Sequence, residues 1–138
     1  MSIQRPIVVT EPDLLRLRQL IAGQTSGRNA RECEALETEL DRADVVQPSE
    51  IPSNVVTMNS RARFVDERTG EEMEMTLVYP RDADLARERI SVLAPIGAAL
   101  LGLSVGQSIE WPMPHGTTRR LKVSTILYQP EAAGDLQL

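Results

Sequence analysis

The residues able to carry chemistry are few, and their spacing argues against most reactions. His115 is the single histidine, so a multi-histidine metal site is excluded and any triad would depend on this one imidazole. It sits in the turn-rich run Pro112-Met113-Pro114-His115-Gly116 and reads as an exposed loop residue. Cys33 is the single thiol, which excludes an intramolecular disulfide or a multi-thiolate zinc site and suits a reducing compartment. It falls on an apolar helical stripe, where it reads as a small buried hydrophobe. Gly97, Gly102 and Gly106 lack the G-x-G-x-x-G spacing, and no Gly-Lys-Ser/Thr follows them, Lys122 being the sole lysine. They read as turn and packing glycines, not as a phosphate cradle. The carboxylate pairs Glu72/Glu74 and Glu37/Asp41 have the pattern of solvated faces. Arg119, Arg120 and Lys122 form one basic cluster, a weak nucleic-acid signal and an equally good rim contact for an acidic protein surface. The residues therefore predict no catalytic group, no metal site and no cofactor, and the chain is read as a non-enzyme.

Composition narrows the classes further. Only 3% of the 138 residues are aromatic (Phe64, Tyr79, Trp111 and Tyr128), too few for a site of stacked rings. With 20 acidic and 15 basic residues the formal charge is −5, which lacks the cationic excess that drives nucleic-acid affinity. Direct sequence-specific nucleic-acid binding is not expected. The uncharged stretch from Ile90 to Ile109 has the length of a membrane span. It is too polar at Ser91, Ser104, Gln107 and Ser108, and Pro95, Gly97, Gly102 and Gly106 break it. The start, Met1-Ser2-Ile3-Gln4-Arg5-Pro6, lacks the apolar core of a secretory signal. The expectation is a cytoplasmic protein with no membrane contact.

The elements that must position these residues change character near Pro48 to Pro52. Thr10-Glu11-Pro12-Asp13 reads as a helix start, Leu14, Leu17 and Ile21 recur at helical spacing, and Gly23 supplies a stop. Cys33, Leu36, Leu40 and Ala43 form a second stripe, with Glu34, Glu37, Glu39 and Asp41 largely off it. The spacing predicts helices over 11–22 and 29–44, about 18 and about 24 Å long, joined as an antiparallel hairpin or short coiled coil. Residues 1–47 are thus read as a helical hairpin and 48–53 as a linker. Residues 54–138 are read as an α+β domain, a mostly antiparallel sheet with one short helix across a face. Ala62 and Phe64 share a strand face, residues 66–70 read as a hairpin turn, and Met73, Met75, Leu77 and Tyr79 alternate with Glu72, Glu74 and Thr76. Residues 83–89 suggest a short polar helix, a short strand runs into Pro95, and Gly102 closes a short apolar helix. Strands over 107–111 and 119–128 follow, and the tail from Gln129 is expected to be ordered only in part.

The run Ile90-Ser91-Val92-Leu93-Ala94-Pro95-Ile96-Gly97-Ala98-Ala99-Leu100-Leu101-Gly102, followed by Val105-Gly106-Gln107-Ser108-Ile109-Glu110-Trp111, resembles the C-terminal domain of the bacterial GreA/GreB transcript-cleavage factors. Within that superfamily the likeness is strongest to the Rnk family, named for regulation of nucleoside diphosphate kinase. Supporting stretches include Glu39-Leu40-Asp41-Arg42-Ala43, Val55-Val56-Thr57-Met58-Asn59-Ser60-Arg61, Thr76-Leu77-Val78-Tyr79-Pro80 and Tyr128-Gln129-Pro130-Glu131-Ala132-Ala133-Gly134-Asp135.

The resemblance implies a helical hairpin followed by an FKBP-like α+β domain. It also implies a partner, RNA polymerase, with the C-terminal domain docked on the β′ subunit coiled coil at the rim of the secondary channel. The family's Ser-Pro-apolar docking motif is similar to Ala94, Pro95 and Ile96, with Gly97 following, although Ala94 departs from the serine. In Gre factors acidic residues at the hairpin tip help hold a catalytic metal. Here the tip residues Gln24, Thr25, Ser26 and Arg28 include no carboxylate, and a metal site needs anionic oxygen ligands. The resemblance with this departure predicts polymerase binding without cleavage stimulation, competition with Gre factors for the dock, and an indirect effect on nucleoside diphosphate kinase. The alternative is an FKBP-like peptidyl-prolyl isomerase or chaperone-like binding module, against which four scattered aromatics weigh, since that chemistry uses an aromatic-lined pocket.

Overall fold

Thr10 opens the first helix as its sequence suggests: its Oγ1 accepts the Asp13 amide at 3.3 Å, Pro12 sits in the first turn, and Glu11 and Asp13 lie at the positive helix end. In this computed structural model the described residues are 7–23, 30–94, 97–112 and 116–135. Strand β1 (Val8–Thr10) leads into helix α1 (Glu11–Ala22), and helix α2 (Ala30–Asp41) leads into strand β2 (Asp44–Val46). The second helix ends at Asp41, three residues short of the expected end. Asp44, Val45 and Val46 are taken by a parallel pairing with Val8, Val9 and Thr10. Parallel strands need a long crossover, and the two helices supply it.

The second unit is built on a five-stranded sheet of strands β3 (Arg61–Asp66), β4 (Glu72–Val78), β5 (Arg89–Ser91), β6 (Ser108–Pro112) and β7 (Thr118–Tyr128), in the order β5-β4-β3-β7-β6. All neighbours are antiparallel except β4 and β5. The β3–β4 turn falls at the expected place. Gly70 has φ +78°, and Asp66 Oδ1 accepts the Arg68 and Thr69 amides at 2.8 and 3.3 Å. Along β3 the period of two is clean, with Ala62, Phe64 and Asp66 buried and Arg61, Arg63 and Val65 half-buried. Residues 83–89 do not form the expected helix. Asp84 caps a single 3-10 turn, Leu85–Arg87, and Glu88 at φ +60° redirects the chain into β5. Tyr79 lies beyond β4, because Pro80 opens a 3-10 turn there.

Helix α3 (Gly97–Leu100) and helix α4 (Pro130–Ala133) complete the chain. Buried residues form one cluster that joins both units: Leu17, Ile21, Cys33, Leu36 and Leu40 from the helices with Phe64, Leu77, Leu100 and Val123 from the sheet side. The stripe that the helical spacing assigned to the α1–α2 seam thus also packs on the sheet unit. Past β7 the tail is anchored rather than loose at its start. Gln129, 3% exposed, donates to the Pro52 and Val55 carbonyls at 2.8 Å each. Among the described residues no helix is long and apolar enough to cross a membrane.

Candidate docking surface

The segment from β5 to the end of α3 is held from both sides. Ser91 starts it: its Oγ accepts the Leu93 amide at 3.0 Å and its carbonyl accepts the Ala94 amide at 3.0 Å, which fixes a turn directly after the strand. Val92 and Leu93 are buried by this turn, and Ala94 is half-buried against the core. Gly97 donates to the Ala94 carbonyl at 2.8 Å and is itself buried. A Cβ at Gly97 would collide with the Ser91 carbonyl oxygen and lie 2.7 Å from the Val92 carbonyl carbon, so only glycine lets the backbones approach this closely. Leu100 and Leu101 are 1% exposed, and Gly102, at φ +80°, donates to the Val56 carbonyl at 2.9 Å. Among the described residues the two sides of the segment, 91–94 and 97–102, are therefore clamped at Ser91 and Gly102 and anchored by the buried side chains of Val92, Leu93, Leu100 and Leu101.

Of the four residues expected to meet a partner, Ala94 and Gly97 are placed, the first at the half-exposed end of the turn and the second beneath it. Pro95 and Ile96 lie outside the described residues, as do the tip residues Gln24, Thr25, Ser26 and Arg28, and His115. Cys33 is 4% exposed within the core cluster. The basic cluster on β7 is largely neutralised: Arg119 pairs with buried Asp66 at 2.7 Å and Arg120 with Glu67 at 2.8 Å. The Arg119 guanidinium holds the Asp66 carboxyl below its usual range. Glu74 is gripped by Arg61 at 2.7 Å and Arg63 at 3.0 Å, which lowers its pKa too, so the Glu72/Glu74 pair offers no free acid–base couple. Phe64 is buried in the core and Tyr128 donates its hydroxyl to Asp135, so these two rings do not come together to line one aromatic pocket.

Residues 51–128 match the family described as "Transcription elongation factor, GreA/GreB, C-term", and residues 5–46 match "Rnk N-terminus". The chain is 44% identical over 137 residues to the regulator of nucleoside diphosphate kinase of Escherichia coli strain K12, with 99% of this chain and 100% of that protein covered. The chain belongs to the Rnk family of the GreA/GreB superfamily. A transcription elongation factor GreA from Thermodesulfovibrio yellowstonii is 32% identical over 124 residues, 84% of this chain and 78% of that protein. The solved structure of a GreA/GreB elongation factor from Nitrosomonas europaea is 45% identical with a TM-score of 0.80, covering 91% of this chain and all of the other. The GreA factor homolog 1 of Thermus thermophilus, 22% identical at a TM-score of 0.51, shares the fold. These relatives are regulators and transcription factors, and the Rnk-family chain is a transcription-elongation-factor-like regulator.

In this Rnk-family chain the polar residues that join helices to sheet were not visible as a group in the sequence. Asp13 is 5% exposed, and its Oδ2 accepts the Met58 amide at 3.3 Å. Burial first, and the Glu131 carboxylate second, push its pKa up to about 6. Glu131 in turn accepts from Thr57 Oγ1 at 2.7 Å, and Thr57 also bonds Ser60. Residues 13, 57 and 131 are far apart in the chain, and helical or strand periodicity carries no signal for their meeting.

Proposed function

We propose that the chain binds RNA polymerase through residues 54–138 and regulates elongation without stimulating transcript cleavage. The observation that carries this reading is the match of residues 51–128 to the elongation-factor C-terminal family, which includes the clamped segment from Ser91 to Gly102. On this reading the chain divides into a short coiled-coil hairpin over 1–47, a linker over 48–53 and an FKBP-like docking domain over 54–138. Ala94, Pro95 and Ile96 meet the β′ subunit coiled coil, and buried Gly97 packs against the Ser91 and Val92 backbone. Flanks already fixed by packing reduce the conformational entropy lost on docking, which favours a small contact.

The absence of cleavage stimulation rests on the tip. Gln24, Thr25, Ser26 and Arg28 supply no anionic oxygen, and Arg28 repels a divalent cation. A factor that occupies the dock without delivering a metal competes with Gre factors. Its effect on nucleoside diphosphate kinase then follows from altered transcription. The test is retention of core RNA polymerase on the immobilised chain, wild type beside Pro95→Asn. Wild type retains the enzyme, and the variant weakens binding by at least about tenfold, equivalent to about 1.4 kcal/mol. Failure of the wild-type chain to retain polymerase overturns the reading.

A further inference from the structure

We infer that the outer face of the sheet carries a second binding site, a trough that takes an acidic protein segment. Register places Tyr128, Arg61, Thr76 and Arg89 in one row across β7, β3, β4 and β5: Tyr128 opposite Arg61, Arg61 opposite Thr76, Thr76 opposite Arg89. Their side chains, with Val78 and Arg87, line an open trough of about 470 Å³, which Asn59 and Asp82 complete. Neither Ala94 nor Gly97 lines it, so the inference goes beyond the docking reading and does not depend on it.

The charges in the trough are unequally committed. Arg61 is held by Glu74 at 2.7 Å and by Glu88 at 2.8 Å, and Glu74 is shared with Arg63 at 3.0 Å, so Arg61 is fully engaged. Glu88 thus commits its carboxylate to Arg61, and among the described residues it makes no ion pair with Arg87 or Arg89, which flank it in sequence. Among the described residues Arg87 has one ion pair, a long 3.7 Å contact to Asp84, with its side chain 72% exposed, and Asp82 is drawn to Arg81 at 3.7 Å. Arg89 is exposed and makes no ion pair among the described residues. Two forked guanidinium groups therefore stand at the edge of the sheet with unused donors, in a protein whose net charge is −5.

The shape selects among anions. A lone phosphate needs enclosure by convergent donors, and exposed arginines on one rim do not provide it. Nucleic acid and anionic membrane spread their charge over a surface much wider than the trough and would bring it against the rest of a chain whose net charge is −5, whereas a short acidic segment presents its carboxylates along the trough alone. An extended acidic segment suits the trough: it can lie along the open groove over Val78 and Thr76 while its carboxylates reach Arg87 and Arg89 in bidentate pairs.

The test uses the full chain and a fluorescein-labelled decaglutamate peptide, followed by anisotropy in about 50 mM salt, where such contacts are weakly screened. Saturable binding is expected, weakened at least about tenfold by the double variant Arg87→Ala/Arg89→Ala, about 1.4 kcal/mol or more. Lys122→Ala, which removes an exposed cation outside the trough, should leave it unchanged. Both arginines are exposed, so the double variant retains the wild-type circular dichroism spectrum. Absence of saturable binding, an equal loss with Lys122→Ala, or a double variant that binds like wild type overturns the inference. Displacement of the peptide by inorganic phosphate at equal charge concentration also overturns it, since the site then selects small anions.

Discussion

Replacing Asp13 with Asn should stabilise the protein at neutral pH, by an amount that vanishes in acid. Asp13 is buried at the junction of α1 with the sheet unit, faces the Glu131 carboxylate, and has Arg16 and Tyr79 as its other charged or titratable neighbours. Its pKa rises from 3.8 to about 6 in the folded chain. The folded state therefore holds the proton more tightly than the unfolded state does. Below about pH 4 both states carry the proton and Asp13 costs nothing. Between about pH 4 and 6 the unfolded chain has lost the proton and the folded chain has not, so stability falls as pH rises. Above about pH 6 the whole cost stands. A window of about two pH units, at about 1.4 kcal/mol for each, makes that cost about 3 kcal/mol. Asn keeps the shape and the oxygen that accepts the Met58 amide, and removes the charge.

The expected result is a variant about 2–3 kcal/mol more stable than wild type at about pH 7.5, with the gap closing toward zero near pH 4. Asp66 and Glu74, whose folded pKa values are lowered, give the opposite slope, with stability gained above their unfolded pKa and lost in acid. They are common to both proteins and cancel in the difference. Urea unfolding followed by the fluorescence of Trp111, the single tryptophan, measures the gap across the pH range. A gap independent of pH, or a variant less stable than wild type at neutral pH, would refute the cost assigned to the Asp13 charge.

Other substitutions probe the clamps around the candidate dock. Gly97→Ala should cost about 2–3 kcal/mol or more, because the new methyl meets the Ser91 and Val92 backbone; a melting temperature equal to wild type would show that the loop relaxes freely. Gln129→Ala removes both donors from the Pro52 and Val55 carbonyls and should cost about 2 kcal/mol, with hydrogen exchange at the Val55 amide rising in step. Arg119→Ala strips buried Asp66 of its cation, so the variant should unfold at lower urea than wild type at neutral pH, and the deficit should shrink in acid as Asp66 protonates.

Much of the fold was legible because its elements announce themselves locally. Thr10, Pro12 and Gly23 bracket α1, the 66–70 turn carries its own Asp and Gly, and the alternation in β3 and β4 reads directly as a half-buried pair. What escaped was non-local. Val8 to Thr10 and Asp44 to Val46 are too short to show a period, and they become strands because they pair with each other across both helices. The polar run at 83–89 fits a helix on composition, yet the sheet needs Arg89 to Ser91 as an edge strand, and the run is cut to one turn. At the candidate dock the short apolar helix closed by Gly102 was foreshadowed by its glycine and proline content. Gly97 reads in the sequence as a turn or packing glycine, but the backbone it packs against depends on where Ser91 and Val92 come to lie. The basic cluster at Arg119 and Arg120 looked available in sequence and is spent on Asp66 and Glu67, which lie in and just after β3, far back along the chain.

Occupation of the Gre dock without cleavage is tested by following transcript cleavage in a backtracked elongation complex. The complex is incubated with this chain alone, and then with GreA and increasing amounts of this chain. The chain alone should leave the backtracked transcript intact and should suppress GreA-stimulated cleavage in a dose-dependent way, with Pro95→Asn failing to suppress. Cleavage stimulated by the chain itself, or GreA activity unaffected by a saturating excess of it, would contradict the proposed function.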